Sequence, residues 1–203
     1  MMSNLANFLN DHKSNSPLHG AAVDAILALA SAVTEISHLI RDPAASAQFG
    51  AVRGSANADG DSQKALDVIC DELVTAALSK ADVAIYLSEE QDDPVPLVAD
   101  GAVIVACDPL DGSSNIDTNI SIGTIFSILP SAGGILQPGR NQLASGFFVY
   151  GPQTTLLMTM GNGVHAFQLD ASGVFQHLDW AVTIPAETSE YAINASNARF
   201  WQA

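Results

Sequence analysis

From residue 81 onward the chain is cut into short β-rich pieces by closely spaced turn residues, and this limits its fold more than any other feature. The pieces are "ADVAIYLSEE" (81–90), "AVIVACD" (102–108), "SIGTIFSILP" (121–130), "ASGFFVYG" (144–151), "TTLLMTMG" (154–161) and "GVHAFQLD" (163–170). Each is bounded by Gly, Pro, Asn or Asp, the residues that end strands and make turns. The very short gaps between the later pieces leave room only for hairpins, which join antiparallel neighbours.

Such a sheet needs an apolar cover on at least one face, and two upstream segments can supply it. Between Ala21 and Arg41, Val23, Ile26, Leu27, Ala30, Val33, Ser37 and Ile40 recur near helical spacing, and Asp42-Pro43 stops the run. "SQKALDVICDELVTAALSK" (62–80) repeats that period, with Leu66, Ile69, Leu73 and Ala76 on one face. The glycine-rich "GAVRGSANADGD" (50–61) is a loop between them, and residues 1–17 make a polar, flexible tail. The expected class is α+β, two long helices packed on one face of a largely antiparallel sheet. With 203 residues the chain suffices for one sizeable domain or the larger part of a two-lobed protein. It stops soon after "YAINASNARFWQA", where a bare sheet edge would remain, so an interrupted chain is expected.

Charge narrows the partners. A net charge of −15 with only seven Lys and Arg repels nucleic acid and anionic membrane, and neither is expected as a partner. We read no apolar stretch as long as a membrane span and no secretory leader. Cys70 and Cys107 lie far apart in apolar surroundings, as buried reduced thiols of a cytoplasmic protein do. An acidic protein that handles phosphate needs metal ions, helix N-termini or borrowed cations, and metal is the natural expectation.

The residues able to carry chemistry gather at strand ends. "CDPLDGSSNID" (107–117) follows an apolar run, with Asp108 and Asp111 flanking Pro109 and Gly112 allowing an unusual turn. "GSSNI" can open a short helix whose free N–H groups face an anion. The same residues are ordinary turn formers and suit an Asx-turn equally well. Glu89 and Glu90 close the strand "AIYLSEE"; with Asp92 and Asp93 they are either a solvated acidic turn or metal-site carboxylates. Two strand ends bearing four carboxylates can build a shared two-metal site. Asp67 lies off the apolar face of its helix, and Asp61 suits that helix's N-cap. Five histidines (12, 19, 38, 165, 177) show no ligand spacing, which argues against a His/Cys metal site and a Ser-His-Asp triad. Arg140 and Arg199 are the basic residues nearest to useful places, and both also suit a surface or packing role.

"LSEEQ", "CDPLDGSSNIDTNISIGTIFSI" and "LQPGRNQLASGFFVYG" together resemble the class I fructose-1,6-bisphosphatases. The sedoheptulose-1,7-bisphosphatases share much of the pattern, and its shorter E-E…D-x-x-D-G-S core is common to the wider magnesium-dependent, lithium-sensitive sugar and inositol phosphatases. The resemblance implies Mg²⁺-dependent hydrolysis of the 1-phosphate of fructose 1,6-bisphosphate, as in gluconeogenesis or the Calvin cycle. It implies two or more Mg²⁺ per subunit, Mn²⁺ as an alternative ion, and a homotetramer for the longer parent. By position, Glu89, Asp108, the Leu110 carbonyl and Asp111 would bind metal. Glu90 and Asp67 would activate water, and Asp61 would belong to a loop closing over the metals. Asp111, Gly112, Ser113 and Ser114 would hold the 1-phosphate, and Asn194 would touch the 6-phosphate. After Asn194 the family's Glu-Gly-Tyr is replaced by Ala195-Ser196-Asn197, which removes a tyrosine contact. Family members exceed 300 residues, so the resemblance implies a tail (1–17), an N-terminal phosphatase lobe (18–190), the start of a truncated lobe (191–203) and a missing second α/β lobe. Ala102, Val103 and Pro130 stand where regulated members carry AMP contacts. Rival expectations are a sedoheptulose-1,7-bisphosphatase, an inositol-type monophosphatase, or an inactive truncated fragment.

Overall fold

The computed structural model describes residues 3–13, 16–42, 60–116, 118–180 and 182–190, with the side chains of residues 12 and 60–65 outside that description. Among the described residues, three α-helices are followed by a single sheet: α1 (Leu5–Lys13), α2 (Pro17–Arg41), α3 (Gly60–Leu78), β1 (Val83–Ser88), β2 (Val95–Pro96), β3 (Val103–Asp111), β4 (Ile122–Pro130), β5 (Ala144–Tyr150), β6 (Thr154–Thr159), β7 (His165–Leu169) and β8 (Phe175–Leu178). The strand order is β2-β1-β3-β4-β5-β6-β7-β8. From β3 onward every neighbour is antiparallel, as the short gaps from β5 onward require, whereas β1 and β3 run parallel with Ser88 beside Cys107. The α+β expectation holds, with this one parallel pair added.

Pro17 opens α2 at a position where its missing N–H costs nothing, and the Ser16 hydroxyl caps it by accepting from the His19 N–H at 3.2 Å. Asp42 leaves the helix in extended conformation, as a residue before proline must. By length and composition alone α2 could cross a membrane, which corrects our reading that no such stretch exists. Val23, Ile26, Leu29, Val33 and Ile36 are instead buried in the core.

The core-facing stripe of α3 is Cys70, Val74 and Leu78, four residues apart, with Leu66, Leu73 and Ala77 packed beside it. This is turned from the expected face: Ala76 is exposed and Ile69 only half-buried. Both helices pack on one face of the sheet, over Val105, Cys107, Phe126, Ile128 and Phe148. Among the described residues nothing covers the opposite face. Ile125, Phe147 and Val164 stand 46%, 43% and 41% exposed there, beside an open groove of about 740 Å³ that ends at Glu89 and Asp108.

Residues 5–13, expected in the flexible tail, form α1. Leu5 and Leu9 are buried, and the Phe8 ring meets His165, His177 and Phe167 at centroid distances of 4.5, 5.2 and 5.3 Å. Asn4 bridges to Gln176, and the His177 N–H donates to the Ser3 carbonyl at 2.9 Å, so the N-terminal segment covers the edge of β8. The other edge, β2, is two residues long and carries Pro96, which blunts it.

Candidate active site

The parallel pairing of β1 and β3 puts their carboxyl ends side by side. The Glu89 N–H donates to the Cys107 carbonyl at 3.1 Å, which seats Glu89 next to Asp108. The sequence reading ended this strand at Asp108 because of Pro109; β3 in fact continues to Asp111. It does so through a bulge: Asp108 pairs with Ile125 and Asp111 with Gly123, so β3 carries one residue more than β4 across the step. Residues three apart on a regular strand point to opposite faces; the extra residue cancels that alternation. Asp108 and Asp111 both border Ile125 and Phe147 on the uncovered face as a result. The bulge also accommodates Pro109, which has no N–H for the ladder. Its carbonyl accepts from the buried Thr124 hydroxyl at 2.8 Å, and Thr124 in turn meets the Tyr150 hydroxyl at 2.7 Å. The Leu110 side chain is buried in the core, so only its backbone is free to serve the site; its N–H donates to Asp108 Oδ1 at 3.1 Å.

Gly112 follows in the left-handed region at φ 78°, and Ser113–Asn115 form one 3-10 turn, the short helical opening read from "GSSNI". Ser113 donates to Asp67 Oδ2 at 3.2 Å and so ties α3 to this turn; Ser114 is exposed at its tip. Asp67 Oδ1 is buried and has no hydrogen-bond partner among the described residues.

The electrostatics show that these acids share one field. Burial raises Asp67, Ser113's hydrogen bond opposes the rise, and the Glu89 charge adds to it. Burial raises Asp108 as well, against the Leu110 N–H and with the charges of Asp111, Glu89 and Asp67. Glu90 rises to about 7, through desolvation first and then through Asp67, Glu89 and Asp108. Much of the Glu90 surface is open to solvent, so the crowding of charges is the stronger ground for that rise. Cys107 is pushed well up by burial and the neighbouring Asp108, and Cys70 to about 12, as inert core thiols are.

Asp67, Glu89, Glu90, Asp108 and Asp111 are therefore brought together. Asp61 lies in the first turn of α3 rather than before it as an N-cap, and its side chain is outside the described residues, as is Asn194. Arg140 is exposed on the 3-10 turn Gly139–Asn141, and Arg199 is outside the described residues. Among the described residues no three His, Cys, Asp or Glu side chains form a ready metal cage, and no Lys or Arg is ion-paired with the five acids. The donors are nonetheless all hard oxygens, their crowding helps raise Asp67, Glu90 and Asp108, and one buried oxygen has no partner among the described residues. That chemistry fits Mg²⁺, which takes a few carboxylates and completes its shell with water and phosphate. Sequence reasoning missed Asp71, a buried acid one helical turn beyond Asp67.

The family model for the N-terminal domain of fructose-1,6-bisphosphatase matches residues 3–179. A class 1 fructose-1,6-bisphosphatase of Azorhizobium caulinodans is 48% identical over 204 residues, covering 96% of this chain and 62% of the relative. One from Rhizobium meliloti is 46% identical over 183 residues, covering 86% and 52%. Among solved structures, the holo form of Leishmania major fructose-1,6-bisphosphatase superposes with a TM-score of 0.82 at 28% identity, over 100% of this chain and 63% of that one. The chain thus spans between half and two thirds of the length of these relatives.

Proposed function

The chain belongs to the fructose-1,6-bisphosphatase family through its N-terminal domain, and from that premise we propose that the whole protein releases the 1-phosphate of fructose 1,6-bisphosphate in a Mg²⁺-dependent reaction. The observation that carries this reading is the convergence of five carboxylates from α3, β1 and β3 beside the Gly112–Asn115 turn. Glu89, Asp108, Asp111 and the Leu110 carbonyl would hold the metal. Once bound, the ions neutralise charge on the phosphoryl oxygens and on the leaving alkoxide. Ser113 and Ser114, with the backbone of the turn, orient the phosphate. Glu90, next to Glu89 and in the field of Asp67 and Asp108, would be the base that accepts the proton of the attacking water. Asp67, fixed by Ser113, orients the same water from the helix side.

The chain on its own is proposed to be a poor catalyst. Its uncovered sheet face, with Ile125, Phe147 and Val164 partly exposed, would be covered by the part that relatives carry beyond this span. The same part would supply the remaining substrate contacts. Phosphorus NMR of the whole protein turning over fructose 1,6-bisphosphate tests the reading: loss of the 1-phosphate signal only when Mg²⁺ is present supports it. Metal-independent release, or release of the 6-phosphate, contradicts it.

A further inference from the structure

Asp71 lies on α3 one turn after Asp67 and is 3% exposed. A buried carboxylate has to be matched by donors, and three side chains match it. Oδ1 accepts from the Tyr86 hydroxyl at 2.9 Å and the Ser88 hydroxyl at 2.5 Å, and Oδ2 accepts from the Gln91 amide at 2.6 Å. Among the described residues its neighbours include no paired cation, so these hydrogen bonds alone hold it.

The donors' positions in the chain give Asp71 its meaning. Ser88 and Gln91 are the residues immediately before and after Glu89-Glu90. One carboxylate therefore grips both ends of the acidic pair. Ser88 extends the grip, since its hydroxyl also accepts from the Glu90 N–H at 3.2 Å. Alternation along β1 separates the two sides: the Tyr86 and Ser88 hydroxyls reach Asp71 on the helix side, whereas Leu87 and Glu89 alternate to the groove side, and residues 87–89 together line the end of the open groove. Asp71 thus stands behind the strand end and touches neither Glu89 nor the groove. The groups that raise Glu90 are Asp67, Glu89 and Asp108, together with desolvation, and Asp71 is not among them. Its influence on the pair is through placement.

We infer that Asp71 is a positioning residue, clamping Ser88 and Gln91 so that the Glu89–Glu90 turn stays fixed against Asp108 for divalent-cation binding. The inference rests on the metal-site reading above and extends it to a side chain outside the ligand set. Hydrogen-bonded partners behind metal ligands typically govern affinity by about 10–100-fold.

The test uses Mn²⁺ as the probe, titrated by electron paramagnetic resonance into the chain and its variants, with amide hydrogen exchange recorded at Glu89 and Glu90. Gln91→Leu and Ser88→Ala each remove one arm of the clamp at the surface end and spare the core. Each should speed exchange at those two amides, leave the amides of β5 and β6 unchanged, and weaken Mn²⁺ about tenfold. Asp71→Asn keeps an acceptor for Ser88 and Tyr86 and can donate to a turned-over Gln91 amide, so it should hold Mn²⁺ within about threefold of the parent, whereas Asp71→Ala should not. Unchanged exchange in Gln91→Leu and Ser88→Ala overturns the clamp. Faster exchange with undiminished Mn²⁺ affinity overturns the positioning role, while sensitivity of the parent's binding to Asp108→Asn keeps the metal site. Mn²⁺ binding that is indifferent to Asp108→Asn overturns the metal-site reading and this inference with it.

Discussion

Glu90 stands at a strand end, where desolvation and then Asp67, Glu89 and Asp108 raise it to about 7. A carboxyl raised in the folded state keeps a proton that the unfolded chain would release. Its stabilising effect is complete below the ordinary value of 4.5 and is lost as pH rises through about 7. Asp67 and Asp108 shift in the same direction. Asp170 does the opposite, held down by Ser172, Gln176 and the Val174 N–H, so its contribution is lost as pH falls below the usual carboxylate range. The metal-free chain should therefore melt highest between these limits, near pH 5, and less high at pH 8, by calorimetry. Divalent-cation binding should release protons, more at pH 6 than at pH 8, because at pH 6 Glu90 still carries one. Calorimetry in buffers of different ionisation enthalpy measures this, and Glu90→Gln should remove most of the difference. Glu89, Glu90, Asp108 and Asp111 are legible in the sequence because they sit beside turns at the ends of apolar runs; Asp67, in mid-helix, is legible only through the family resemblance. Asp71 is not legible, because a lone acid in an amphipathic helix looks solvated until the fold brings Tyr86, Ser88 and Gln91 to it.

Among the elements, β3 and α1 show where local reading falls short. Pro109 argues for a strand end, yet the pairing with β4 continues because the bulge absorbs the proline; only the register of the neighbouring strand reveals it. α1 has few apolar residues, and its stability comes from burying Leu5 and Leu9 and from Phe8 against two histidines and Phe167. Isolated helices of this length are marginal in water, so propensity alone gives no reason to expect one. Leu9→Ala should lower unfolding stability by about 2–5 kcal/mol in urea denaturation; a flexible tail would give no change. Gly112→Ala should cost about 1 kcal/mol, since a side chain at φ 78° is strained even though the nearest atom is the movable Asn115 amide at 3.2 Å.

At the scale of the whole molecule, the helices cover one sheet face and leave the other to a groove that opens on the acids. Hairpin gaps made the order of β5 to β7 readable in advance. The parallel pairing of β1 with β3, which creates the site, was not, because β2 and its loops lie between them in sequence. With one face uncovered and no cation paired to the five acids among the described residues, the chain alone should turn over fructose 1,6-bisphosphate several orders of magnitude more slowly than the whole protein is proposed to, since positioning and charge stabilisation carry most phosphoryl-transfer catalysis. The central claim, that the carboxylates at the ends of β1 and β3 form the metal site of a phosphatase, is tested most directly by Asp108→Asn in the whole protein. The measurement is Mg²⁺-dependent phosphate release, with circular dichroism and melting followed in parallel. The account predicts a loss of at least about a thousandfold in turnover with the melting temperature unchanged or raised, because one of the repelling charges is gone. Near-parental turnover at saturating Mg²⁺ in a folded Asp108→Asn protein would contradict it.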